Sequence, residues 1–166
     1  LTYDSIGVGA SAGGKFAEIN ESRSPFETDW LQYERFNAGA GVSSPDVQYA
    51  ETGILNKDFF SNAKAQAWWL IADRFRNTYN AVTKGEQFAA DQLISISSDM
   101  PNLDKLVREL STPRRDYDAT GKVKVESKKD LAKRDVSSPN LADAFVMAFS
   151  PREMPVEVSV TRRTRR

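Results

Sequence analysis

The sequence predicts one α/β domain, a mixed sheet flanked by helices with a β-hairpin ahead of the last helices, and three observations carry that prediction. Leu1-Thr-Tyr-Asp4 reads as a strand that runs into Gly7, Gly9, Gly13 and Gly14. Strand, glycine turn and helix in succession mark an α/β chain. Residues 62–82 hold the longest helical period, and residues 114–127 alternate about the turn Ala119-Thr120-Gly121, where glycine makes positive φ cheap.

The elements follow in order. The first helix is expected over 15–21, and 22–58 is irregular, with Pro25, Pro45 and one short strand at 34–36. In 62–82, Trp68, Ile71, Ala72, Phe75 and Tyr79 recur at spacings of three and four, which predicts one apolar stripe with Trp68 and Trp69 anchoring the core. A strand is expected at 93–97, and a helix at 101–110 with Leu103, Leu106, Val107 and Leu110 inward. The hairpin strands are 114–118 and 122–127, followed by a polar helix from 127 to about 134. Ser138 and Pro139 then suit the cap and first turn of a last helix, whose expected buried face is Leu141, Ala144, Phe145, Ala148 and Phe149. Residues 156–160 read as an edge strand. The domain is drawn at 1–151, with a basic tail at 152–166.

Composition narrows the chemistry. Apolar residues make up 40% and charged residues 28%, as in an ordinary folded domain. No apolar run approaches the roughly 20 residues that cross a bilayer, so no membrane is expected and the cytoplasm is the expected location. Cysteine and histidine are both absent. Disulfides, thiolate zinc and a Ser-His-Asp hydrolase are thereby excluded, and any metal must be a hard cation on Asp and Glu oxygens, magnesium or manganese. Net charge is zero, but residues 114–166 carry 13 Lys+Arg against 8 Asp+Glu, leaving 10 against 15 before them. A basic back end suits either a polyanion partner or a solvated, soluble tail. Leu1 is no initiator, so the chain is expected to be a piece of a longer polypeptide.

Three features can carry chemistry. Asp4 closes the first strand where α/β sheets place ligands, and reads either as a metal ligand or as a turn former. Residues 9–15 have the glycine and lysine spacing of a phosphate-cradling loop, but Phe16 stands where a hydroxyl should meet magnesium; a turn leading into a helix is the other reading. Asp143 lies early in the last helix, where the dipole favours an acid, and its small neighbours Ala142 and Ala144 leave room for a cation.

The run KVESKKDLAKRDVSSPNLADAF, residues 124–145, resembles the end of the nuclease domain of phage terminase large subunits, where a strand, an "SK" element, a "kR" element and "SPD-x-ADA" follow in that order. Tyr3 to Gly9, YDSIGVG, is similar to that family's "D-x-x-G-x-G" strand end, and NAKAQAW, residues 62–68, to the helix between them. Asn140 departs from the family's aspartate. The resemblance implies an RNase H-like fold whose acidic cluster binds two magnesium or manganese ions, with Asp4 as the second acid and Asp143 as the last. It implies that a first acidic strand and an ATPase motor precede Leu1, so that the chain alone cleaves weakly or not at all. It further implies double-stranded DNA as substrate, and the terminase small subunit and portal protein as partners, in the cytoplasm of a bacterial host. On this reading Lys128 or Lys129 contacts the scissile phosphate, and Arg114, Arg115, Lys122 and Lys124 follow the DNA backbone. A DNA-binding or docking module using Arg162, Arg163, Arg165 and Arg166 is the alternative from another class, and a P-loop nucleotide-binding domain using Lys15 is a third.

Overall fold

The computed structural model describes residues 1–23 and 30–151. The expected strand at 156–160 and the four terminal arginines lie outside the described residues.

Strand β1, Thr2–Asp4, pairs in parallel with β2, Glu34–Phe36, in the register Thr2 to Glu34, Tyr3 to Arg35 and Asp4 to Phe36. Parallel neighbours need a crossover. It begins with a 3-10 turn, Gly7–Ser11, that passes directly into helix α1, Ala12–Glu21. Tyr3 fixes α1 on the strands: its ring meets Phe16 edge-on at 5.4 Å, and its hydroxyl accepts from Arg35 Nε at 3.1 Å. Residues 7–15 therefore form no open cradle. Phe16 is a packing residue, and Lys15 pairs with Glu18 along the exposed side of the helix at 2.8 Å.

A short helix not foreseen in the sequence, α2, Asn56–Phe59, precedes the long helix α3, Ala63–Lys84. Asn62 caps α3 by accepting from the Ala65 N–H, and Gly85 ends it at φ +71°. The expected stripe on α3 is only half right. Trp68 and Ile71 are buried, but Ala72, Phe75 and Tyr79 face solvent. The buried line instead runs toward Arg74 and Thr78, because residues 93–96 lie there. Arg74 donates to the Leu93 carbonyl at 3.4 Å, and the Thr78 hydroxyl accepts from the Ile94 N–H and donates to its carbonyl. This pairing also explains why 93–97 is not a strand. Its burial alternates, with Ile94 inward and Ser95 outward, but a threonine on a helix takes the place of a neighbouring strand.

Helix α4, Leu103–Ser111, buries Leu106 completely and leaves Val107 exposed, contrary to expectation. The hairpin strands are β3, Arg115–Tyr117, and β4, Val123–Val125. Asp118 accepts from the Thr120 and Lys122 N–H groups, and Gly121 sits at φ +83°. The hairpin joins the body through the Ser61 N–H, which donates to the Val123 carbonyl at 2.9 Å. Among the described residues the sheet is thus two small pieces, one parallel pair and one hairpin.

Helix α5, Lys128–Lys133, is capped by Ser127, and helix α6, Asn140–Ala148, follows. The predicted face of α6 is rotated: Ala142 and Val146 are fully buried, Leu141, Phe145 and Phe149 partly so, and Ala144 and Ala148 are exposed. With Ala67, Trp68, Ile71, Ile94 and Leu106 they form the core between α3, α4 and α6. Small Ala142 at this contact lets α6 approach closely, which brings Asp143 next to the start of α3.

Candidate active site

Asp143 projects from the first turn of α6, and α6 packs against β1, the strand that ends at Asp4. Its carboxylate is mostly shielded, 17% exposed, so it requires compensation. Two lysines supply it. Lys64, in the first turn of α3, reaches Oδ1 at 2.9 Å, and Lys128, in the first turn of α5, reaches Oδ2 at 3.1 Å. Each carboxylate oxygen therefore carries one ammonium. The partner that burial demanded of Asp143 is, in these surroundings, a pair of cationic side chains.

Lys64 was not expected from the sequence. One weak signal was available: a lysine in the first turn of a helix is mildly disfavoured by the helix dipole, and a nearby anion offsets that. Its ammonium also lies 6.0 Å from the centre of the Trp68 ring. A second unexpected residue is Glu109. Ser138 makes no bond to a helix N–H and binds the Asn140 side chain instead. The start of α6 is capped from another helix, by Glu109 Oε2 accepting from Leu141 N–H at 2.7 Å and Ala142 N–H at 3.0 Å.

Asp4 is exposed, and its Oδ1 accepts from the Ile6 N–H at 3.0 Å, so it does form a turn. Gly9 is required beneath it, since any Cβ there would overlap the Asp4 carbonyl oxygen. Among the described residues no three acidic groups gather as a ready metal cage. The donors that are present are hard oxygens, and Asp143 already holds positive charge on both of them. Hard oxygens are the donors that magnesium or manganese takes, but an ion reaching Asp143 would have to displace or oppose the ammonium groups already there.

The remaining basic residues divide. Lys128 belongs to the Asp143 cluster, whereas Lys129 is exposed on α5. Lys124 pairs across the hairpin with Asp116 at 3.1 Å. Lys122 lies beside the turn, its N–H held by Asp118. Arg115 stacks between aromatic faces, 5.8 Å from Trp69 and 4.9 Å from Tyr117. The Arg114 N–H donates to Glu126, whose carboxylate is clamped by Arg134 at 2.6 and 2.8 Å. The Arg134 guanidinium holds the Glu126 carboxyl below the usual glutamate range.

No protein-family profile matches the chain, and no curated protein is found similar to it. Solved structures do match. The nuclease domain of the large terminase subunit gp2 of bacterial virus Sf6 superposes with a TM-score of 0.79 and 28% identity, over 92% of this chain and 65% of that one. A lysine-to-alanine variant of the same domain with manganese gives 0.75 and 27%, over 91% and 65%. That variant with manganese and beta-thujaplicinol gives 0.77 and 27%, over 92% and 65%. The chain thus spans about 65% of the length of the solved domains it matches. With a TM-score of 0.79 and 28% identity over 92% of its length, the chain has the RNase H-like fold of the phage terminase nuclease domain on which it superposes.

Proposed function

We propose that the chain is the nuclease portion of a viral DNA-packaging machine, cutting double-stranded DNA with Asp4 and Asp143 among the ligands of two magnesium or manganese ions. The observation that carries this reading is the shielded Asp143 with an ammonium on each oxygen, on a helix packed against the strand of Asp4. Manganese in the related solved structures supports the choice of metal. Ions of this kind, when bound, generate a hydroxide-like nucleophile and neutralise the leaving oxygen.

The chain's own residues have distinct tasks. Asp4 and Asp143 supply hard oxygen donors. Lys128 is half exposed, so it can leave Asp143 and turn to the phosphate being cut, and Lys129 follows it on the same turn. Arg114, Arg115, Lys122 and Lys124 on the hairpin contact backbone phosphates, with Arg115 held ready by its aromatic neighbours. Residues 1–151 form the nuclease, and 152–166 a basic tail. The packaging setting makes the terminase small subunit and the portal protein its partners, in the cytoplasm of a bacterial host carrying the phage or prophage. No helix of the described residues is long and apolar enough to cross a membrane.

The test is nicking of supercoiled plasmid in manganese by a polypeptide extended to the full length of the solved domains. Asp143→Asn should abolish nicking while circular dichroism stays unchanged. Equal nicking by the folded variant and the wild type would remove Asp143 from the reaction. Binding that weakens with salt but ignores metal, with no nicking, would favour a docking role over a nuclease.

A further inference from the structure

We infer that Lys64 is a resident counter-charge of this site: it stays on Asp143 Oδ1 and opposes the incoming divalent cation, thereby setting how much metal the site requires. The inference rests on the reading of Asp143 as a metal ligand. The two lysines on that carboxylate are unequal. Lys128 is 54% exposed, so its ammonium can exchange Asp143 for water or phosphate at little cost. Lys64 is 23% exposed.

Lys64 is also held at its base. The N–H groups of Ala63 and Lys64 donate to the carbonyls of Ala40 and Ala38, and Asn62 caps the same turn. Its ammonium lies near the ring of Trp68, itself nearly buried. Leaving Asp143 would strand the Lys64 charge in a shielded place at the positive end of α3, where the dipole disfavours it. Oδ2 is then the oxygen that Lys128 vacates for the metal, while Oδ1 remains with Lys64. A fixed like charge so close to a divalent cation weakens its binding, and removing one is worth roughly a factor of ten even with strong solvent screening.

Lys64→Met keeps the aliphatic stem and removes the charge, Lys64→Gln provides a second neutral variant, and Lys64→Arg keeps the charge. Manganese affinity is read by electron paramagnetic resonance of the free ion, alongside the rise in Tm that manganese produces. The neutral variants should bind manganese about tenfold more tightly than wild type, with a larger rise in Tm, and Lys64→Arg should stay near wild type. Unchanged or weaker binding by the folded neutral variants overturns the inference. Asp143→Asn separates the two readings. If it loses manganese while Lys64→Met matches wild type, only the role of Lys64 fails; if it binds as wild type does, Asp143 is not a ligand and both fail. Absence of binding in wild type and neutral variants alike also overturns both.

Discussion

Replacing Glu109 by alanine tests the capping of one helix by another. The carboxylate is 15% exposed and accepts from two N–H groups at the start of α6, Leu141 at 2.7 Å and Ala142 at 3.0 Å. Ala142 is completely buried, so water cannot readily replace the lost acceptor. Losing a cap costs about 1–2 kcal/mol, and losing an anion at the positive end of a helix about 0.3–1 kcal/mol more. The expected loss is therefore about 1–3 kcal/mol, which in a chain of this size lowers Tm by roughly 3–10 °C. Urea unfolding followed by far-ultraviolet circular dichroism gives the free energy, and hydrogen exchange should locate the loosening at α6. Glu109→Gln keeps an acceptor oxygen and should lose only about 1 kcal/mol, the share that comes from charge. A Glu109→Ala protein within about 0.5 kcal/mol of wild type, the scatter of ordinary surface substitutions, would show that Ser138 or solvent caps α6 equally well and would refute the argument.

Leu106 is completely buried among α3 and α6 residues, so Leu106→Ala should cost about 2–5 kcal/mol in urea unfolding. Gly9→Ala must push the end of β1 away and should destabilise the fold, while Gly14→Ala, with open space around its Cβ on α1, should stabilise it by about 0.5–1 kcal/mol, both read from thermal unfolding. Glu126 has a lowered pKa in the folded state because Arg134 hydrogen-bonds its charged form. Its contribution is complete above the ordinary glutamate range and is lost as pH falls through the folded value, so Tm should drop below pH 4.5 in wild type and drop less in Glu126→Gln.

Much of the architecture was legible because local rules governed it. Helix α3, the polar helix α5 and the Gly121 turn depend on residues within a few positions of one another, and each forms close to where it was expected, as do the short strands β1 and β2. Burial was less legible, since a period of 3.6 shows that a helix has two faces without saying which one the rest of the chain will cover. On α3 the covered face contains Arg74 and Thr78, whose polar groups serve the backbone at 93–94. The same holds on α6, where Ala142 and not Ala144 meets the core. Short α2 lay in a stretch with no periodic signal.

Composition alone limited the kinds of metal ligand this chain can offer. Without cysteine or histidine, only oxygen can hold a metal, and that exclusion holds in any fold. Local sequence put Asp143 at the start of a helix and Asp4 at the end of a strand. The neighbours of Asp143 come from packing between distant helices. Lys64 lies 79 residues before Asp143 and Lys128 lies 15 before it, and neither separation carries a local signal of contact. Lys64 meets Asp143 because the core that binds α3 to α6 brings their first turns together, Lys128 arrives from the first turn of α5, and a shielded carboxylate there is stable only with positive charge beside it.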